Sequence, residues 1–78
     1  MKAKKKYHWI NDDVIIDFPV SKVVAQVMRE CERLDLEESM LYQDYADTLD
    51  SITKEMYANG HLTRTQWKKF EDRYAAMV

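Results

Sequence analysis

The sequence predicts an α+β domain, mainly α, in which an N-terminal β-hairpin packs on a three-helix bundle. Three observations predict it. In "KYHWINDDVIIDF", residues 6–18, aromatic and β-branched residues flank a turn-forming "NDD". Apolar residues then recur at three- and four-residue intervals in three successive stretches. A lone glycine, Gly60, separates the last two.

The hairpin's register follows from its faces. Pairing Trp9 with Val14 sets Tyr7 opposite Ile16 and Lys6 opposite Asp17. Trp9, Tyr7, Val14 and Ile16 then share one face, and Lys6 and Asp17 form a cross-strand ion pair. Either a two-residue Asn11-Asp12 turn or a four-residue loop fits. A three-residue loop would oppose Trp9 to Ile15 and mix the faces.

Pro19 ends the second strand, and Ser21 is a helix N-cap. Val23, Val24, Val27, Met28, Cys31 and Leu34 mark the apolar side of a helix over about 21–34. A second stripe, Leu41, Tyr45, Leu49, Ile52 and Met56, predicts a helix over about 38–58, stopped by Asn59-Gly60. No glycine or proline separates these two helices. "DLEES" offers Asp35 or Ser39 as a new N-cap, and the sequence favours a break there. The alternative, one helix roughly 58 Å long, would require pairing in a dimer. In "TRTQ", Thr63 and Gln66 form a capping box, with Leu62 and Trp67 as its hydrophobic staple. The third helix runs over about 64–76, with Trp67, Phe70, Tyr74 and then Met77 or Val78 on its stripe.

Seventy-eight residues make one small domain, 1–78, with a modest core. At 46% hydrophobic and 33% charged, the chain suits a folded domain rather than a disordered one. Its only cysteine, Cys31, leaves no internal disulfide framework, so a reducing cytoplasmic location is expected. The longest apolar run, Tyr74 to Val78, is far too short to enter a membrane as a span. "MKAKKK" resembles the charged end of an export signal, but no apolar run follows it.

The net charge of −2 is unevenly spread. Lys2, Lys4, Lys5 and Lys6 form a basic tip. Glu30, Glu32, Asp35, Glu37, Glu38, Asp44, Asp47 and Asp50 face only Arg29 and Arg33 in the middle. Lys54, Arg64, Lys68, Lys69 and Arg73 then outnumber Glu55, Glu71 and Asp72. This balance argues against nonspecific nucleic-acid binding while leaving room for a local basic face.

Nothing in the residue pattern carries catalysis. Cys31 lies on an apolar stripe, where a thiol is structural rather than reactive. His8 and His61 fall at element ends and, with one cysteine, lack metal-ligand spacing. Asp12 and Asp13 fit turn chemistry. No glycine-rich phosphate loop exists. We expect no enzyme activity, cofactor or metal.

Three binding readings remain. In a helix-turn-helix regulator, Arg64, Thr65 and Lys68 would meet DNA bases, and Lys69 and Arg73 phosphates; the acidic second helix opposes this. As an acidic inhibitor, the carboxylates of residues 30–50 would occupy a basic groove on a nucleic-acid enzyme. As an interaction or accessory protein, the chain would act through a protein partner, with Asp44, Asp47 and Asp50 forming an acidic partner surface or a solvated face. Here the stretch "LDSITKEMYANGHLTRTQWKKFEDRYAAMV", residues 49–78, matters. Through Gly60, Leu62, Thr63, Gln66 and Trp67 it resembles the SHOCT family of short helical hairpins, found at the ends of many bacterial proteins. That family usually has a more Lys-rich second helix and follows a larger domain, where this sequence reads as a hairpin and one extra helix before the stretch. The resemblance implies protein–protein or self-association, and with the small size it points to a bacterial or mobile-element source. An open edge on strand 6–10 or 14–18 would also let a second copy pair there. The interaction protein is the favoured reading.

Overall fold

The computed structural model describes residues 7–74. Three helices follow one another, α1 (Lys22–Leu36), α2 (Leu41–Ala58) and α3 (Arg64–Arg73). Residues 7–20 precede them as an irregular segment, here called the strap. The basic tip and Met77 and Val78 lie outside the described residues.

The described residues contain no strand, so the expected β-hairpin is corrected. Its backbone donors have another acceptor. The N–H groups of His8, Trp9 and Ile10 donate to the carboxylate of Asp35 at 2.7, 2.7 and 2.9 Å. Neighbouring N–H groups in a strand point to opposite sides, so three in a row cannot both converge on one carboxylate and form a ladder. The turn itself stands where "NDD" places it. Asn11 Oδ1 accepts from Asp13 N–H at 3.1 Å, and the Asn11 carbonyl from Val14 N–H at 3.3 Å.

Beyond that turn the chain bonds to α3 instead of to itself. Asn11 N–H donates to the Arg73 carbonyl at 2.9 Å, and Arg73 Nη1 donates to the Val14 carbonyl at 2.8 Å. Asp17 pairs with Lys69 at 2.8 Å; Lys6, its expected partner, lies outside the described residues. Trp9 stacks on Tyr42 with centroids 5.1 Å apart, and Phe18 meets Phe70 edge-on at 5.7 Å. The expected face persists without the ladder: Tyr7, Trp9, Val14 and Ile16 are half-buried while His8, Ile15 and Asp17 are exposed, and Ile10 is buried as well.

The strap is a structural wedge. α1 packs on α2 and α2 on α3, but the Cα atoms of α1 and α3 nowhere approach within 8 Å. The strap reaches both: Asp35 holds it to α1, and Lys69 and Arg73 hold it to α3. Ile10 joins Val24, Cys31 and Leu34 of α1 in the core with Tyr42 and Leu49 of α2 and Phe70 of α3.

Local chemistry explains the helix ends. Ser21 caps α1 by accepting from Val24 N–H at 3.2 Å. α1 and α2 close alike, in Schellman motifs. Ser39 N–H reaches the Leu34 carbonyl and Glu38 N–H that of Asp35; His61 N–H reaches Met56 and Gly60 N–H reaches Tyr57. The left-handed position is Gly60 (φ 80) in one and Glu38 (φ 53) in the other. This turn separates α1 from α2, which excludes the single long helix. Asp35 caps nothing there, and Ser39 Oγ accepts from Leu41 N–H at 3.2 Å. The Thr63–Gln66 capping box opens α3 with both of its bonds. Leu62 is buried, while Trp67 lies parallel to Tyr57 with centroids 4.9 Å apart. α3 ends at Arg73, short of the expected 76, because Tyr74 leaves helical geometry at φ −109, ψ 45.

Candidate interaction surface

Seven of the chain's fourteen carboxylates pair with cations or backbone N–H groups of its own fold. Glu30 and Glu37 bracket Arg33 at 3.0 and 3.1 Å, and all three lie on solvent-facing α1. The Arg33 hydrogen bond holds Glu30 below the usual carboxylate range, and the Glu30 and Glu37 bonds push the guanidinium higher still. Lys69 does the same to Asp17, mainly through its hydrogen bond. Glu32 Oε2 accepts from Tyr74 Oη–H at 3.3 Å and lies 3.7 Å from Arg73 Nη2. Asp72 sits 3.6 Å from Lys68, and Glu38 3.9 Å from His8 Nδ1.

Asp44, Asp47 and Asp50 differ. All three are exposed on α2, and none has a basic partner among the described residues. Asp47 accepts only from Gln43 Nε2, at 2.8 Å. Beside them, α2 leaves apolar groups in water. Leu41 is 55% exposed, and Tyr45, one helical turn on, 37%; Met40 at the preceding turn is 73% exposed. The buried side of α2 is Tyr42, Ala46, Leu49 and Thr53. At 100° per residue, Leu41 and Tyr45 form a shoulder between that buried side and the outer side carrying Asp44.

The residues named for nucleic-acid contact do not form one free basic face. Arg64 and Thr65 are exposed in the first turn of α3. Lys68 faces Asp72, and Lys69 is tied to Asp17. Arg73 is 13% exposed, with Nε on Tyr74 Oη at 3.1 Å, Nη1 on the Val14 carbonyl and Nη2 towards Glu32. The structure thus uses Lys69 and Arg73 to hold the strap.

Cys31 is fully buried. Burial, reinforced by Glu32 and Glu30, pushes its thiol up to about 12. His8 and His61 are both exposed. Among the described residues, no three His, Cys, Asp or Glu side chains are grouped to hold a metal ion. None of the described helices is long and apolar enough to cross a membrane.

Asp35 is the residue the sequence reading undervalued. Its signal was present: Val24, Met28, Cys31 and Asp35 continue one stripe at helical spacing. A carboxylate on the apolar side of a helix's last turn, where the dipole disfavours it, requires strong donors. The strap's three N–H groups are those donors.

An irregular strap on three helices is therefore the architecture in which this surface sits. No protein family, curated protein or solved structure matches the chain.

Proposed function

We propose that this is a non-catalytic interaction protein that presents the outer side of α2 to a basic protein partner. One observation carries the reading: along α2, three exposed carboxylates without a basic partner among the described residues run beside exposed Leu41 and Tyr45. Aromatic side chains are enriched where interfaces form, and complementary charge speeds and orients encounter. The resemblance of residues 49–78 to SHOCT hairpins supports the same class of function. A basic groove on a nucleic-acid enzyme is one partner of the required chemistry. A lone buried thiol fits a reducing, cytosolic setting. Pairing of two copies through a strand edge loses its basis, because the described strap has no strand.

Site-specific photocrosslinking in the host cell tests this. A photoreactive residue at Asp47 is expected to give a discrete adduct with a basic protein, and one at Arg29 on α1 is not. The adduct is lost in D44N/D47N/D50N while the circular dichroism spectrum stays unchanged. Equal adducts from both positions, or none from Asp47, would defeat the proposal.

A further inference from the structure

The strap and α3 cover only one side of the α1–α2 pair. Met28 and Glu32 of α1 line a groove with Ile16 of the strap and Arg73 of α3. Asp50 and Thr53 of α2 line a small gap with Phe70 and Tyr74. At about 100° per residue, Val23 and Val27 lie on the other side of α1, with buried Val24 and Cys31 between the two sets. Leu41, Tyr45, Ile52 and Met56 lie on the other side of α2 in the same way, with buried Leu49 between. The two helices are joined by the tight turn at 37–40 and pack together, so they run antiparallel and their uncovered sides face the same way.

These six side chains form an apolar seam along the hairpin. Val23 is 60% exposed, as open as Leu41, and Val27, Ile52 and Met56 are only partly buried. From Leu41 to Met56 the seam is about 22 Å long, the length of about four helical turns. Its borders are acidic. Asp44 and Glu55 edge it on α2, both exposed and without a basic partner among the described residues. On α1, Glu30 and Glu37 outnumber the Arg33 that they bracket. A second copy would bring the same borders against these, and like charges facing one another oppose association. A seam between two helices offers no backbone edge to an added strand, whereas an amphipathic helix fills it with side chains.

We infer that the basic partner presents an amphipathic helix, which lies along this seam and completes a helical bundle. Its apolar residues at i, i+3 or i+4 and i+7 pack on Val23, Leu41, Tyr45 and Ile52. Lysines or arginines beside them reach Asp44, Glu55 and Glu30. The inference rests on the reading of a basic partner for α2. It adds α1 to the surface, and a helix as the element recognised.

NMR titration of the full chain tests it. The probe is a synthetic peptide of about eighteen residues, long enough for the seam, with a leucine stripe at helical spacing and lysines on both borders. One control replaces its lysines by glutamates, and another scrambles its order. The lysine peptide is expected to shift the Val23, Val27, Leu41, Ile52 and Met56 methyl signals saturably and to gain helical circular dichroism, and the controls are not. Val23→Ser and Leu41→Ser are each expected to weaken it about tenfold, the worth of one apolar side chain buried on binding. Leu36→Ser, at an exposed leucine on another side of α1, should leave it unchanged. All three side chains are exposed, so the variants keep the parent circular dichroism. Equal response to either control, unchanged affinity in Val23→Ser or Leu41→Ser, or no saturable shift would each overturn the inference. Shifts confined to the Asp47 and Asp50 amides would overturn it too, but would leave the basic partner of α2 standing, which photocrosslinking at Asp47 decides separately.

Discussion

The corner between α2 and α3 and the strap are held by the same kind of bond at very different reach. At the corner, Thr63 and Gln66 cap each other three residues apart, and Gly60 and His61 bond to Tyr57 and Met56. In the strap, the partners are 25 to 27 residues away at Asp35, 52 at Lys69 and 59 at Arg73. The corner's conformation is a property of its own letters. The strap's conformation belongs to whichever distant group satisfies its backbone, and one carboxylate outcompetes the neighbouring strand.

The sharpest way to break this contrast is Asp35→Ala. It leaves three largely buried donors without an acceptor, at a cost of about 3–5 kcal/mol. That is a large share of the stability of a domain this small. Urea unfolding followed by circular dichroism measures it, and Cys31 in the variant should become open to alkylation. Asp35→Asn keeps one acceptor oxygen and is expected to lose less. In the intact protein, amide exchange should show His8, Trp9 and Ile10 protected in succession. A hairpin would protect alternate residues instead.

Alkaline pH strains the region where the strap meets the core. Burial raises the Tyr74 hydroxyl from 10.0 to about 12 despite Arg73, and raises Tyr42 further. Cys31 rises from 9.0 to about 12. The unfolded chain loses these protons first, so folding binds protons and stability falls as pH rises. The contribution is complete below about 9, and it is lost between there and about 12. Spectrophotometric titration should show two of the five tyrosines ionising only as the helical signal disappears.

The corner responds more mildly. Thr63→Ala removes one half of the capping box and should cost about 1 kcal/mol. The smallest effect distinguishes the two Schellman ends. Gly60→Ala is expected to destabilise by about 1 kcal/mol, with strain rather than crowding as the cause, since nothing lies within 4 Å of the added carbon. Glu38→Gly should stabilise by about 0.5 kcal/mol, relieving a left-handed residue that carries a side chain. Thermal melts of the pair resolve these opposite signs.

These comparisons also explain what was legible in the sequence. Ser21, Gly60, Thr63 and Gln66 were readable because their partners lie within five residues. The break after α1 was readable as a need, though not in its device, because Glu38 occupies a position that normally announces itself as glycine. "NDD" located a turn correctly through Asn11. The flanking β-prone residues described a surface that packs well, and Trp9 and Phe18 pack against rings on α2 and α3 rather than across a hairpin. On the surface, spacing placed Asp44, Asp47 and Asp50 along α2. That Asp17, Glu32 and Asp35 are matched, and that Lys69 and Arg73 serve the strap, depends on contacts between residues far apart in the sequence.

The wedge between α1 and α3 also imposes an order on synthesis. The strap leaves the ribosome before the helices, yet two of its three anchors, Lys69 and Arg73, are among the last described residues made. Asp35 can engage His8, Trp9 and Ile10 once α1 has emerged, whereas Val14 and Asp17 must wait for α3. The nascent chain therefore carries a half-docked strap, with Phe18 lacking its Phe70 partner until α3 has emerged.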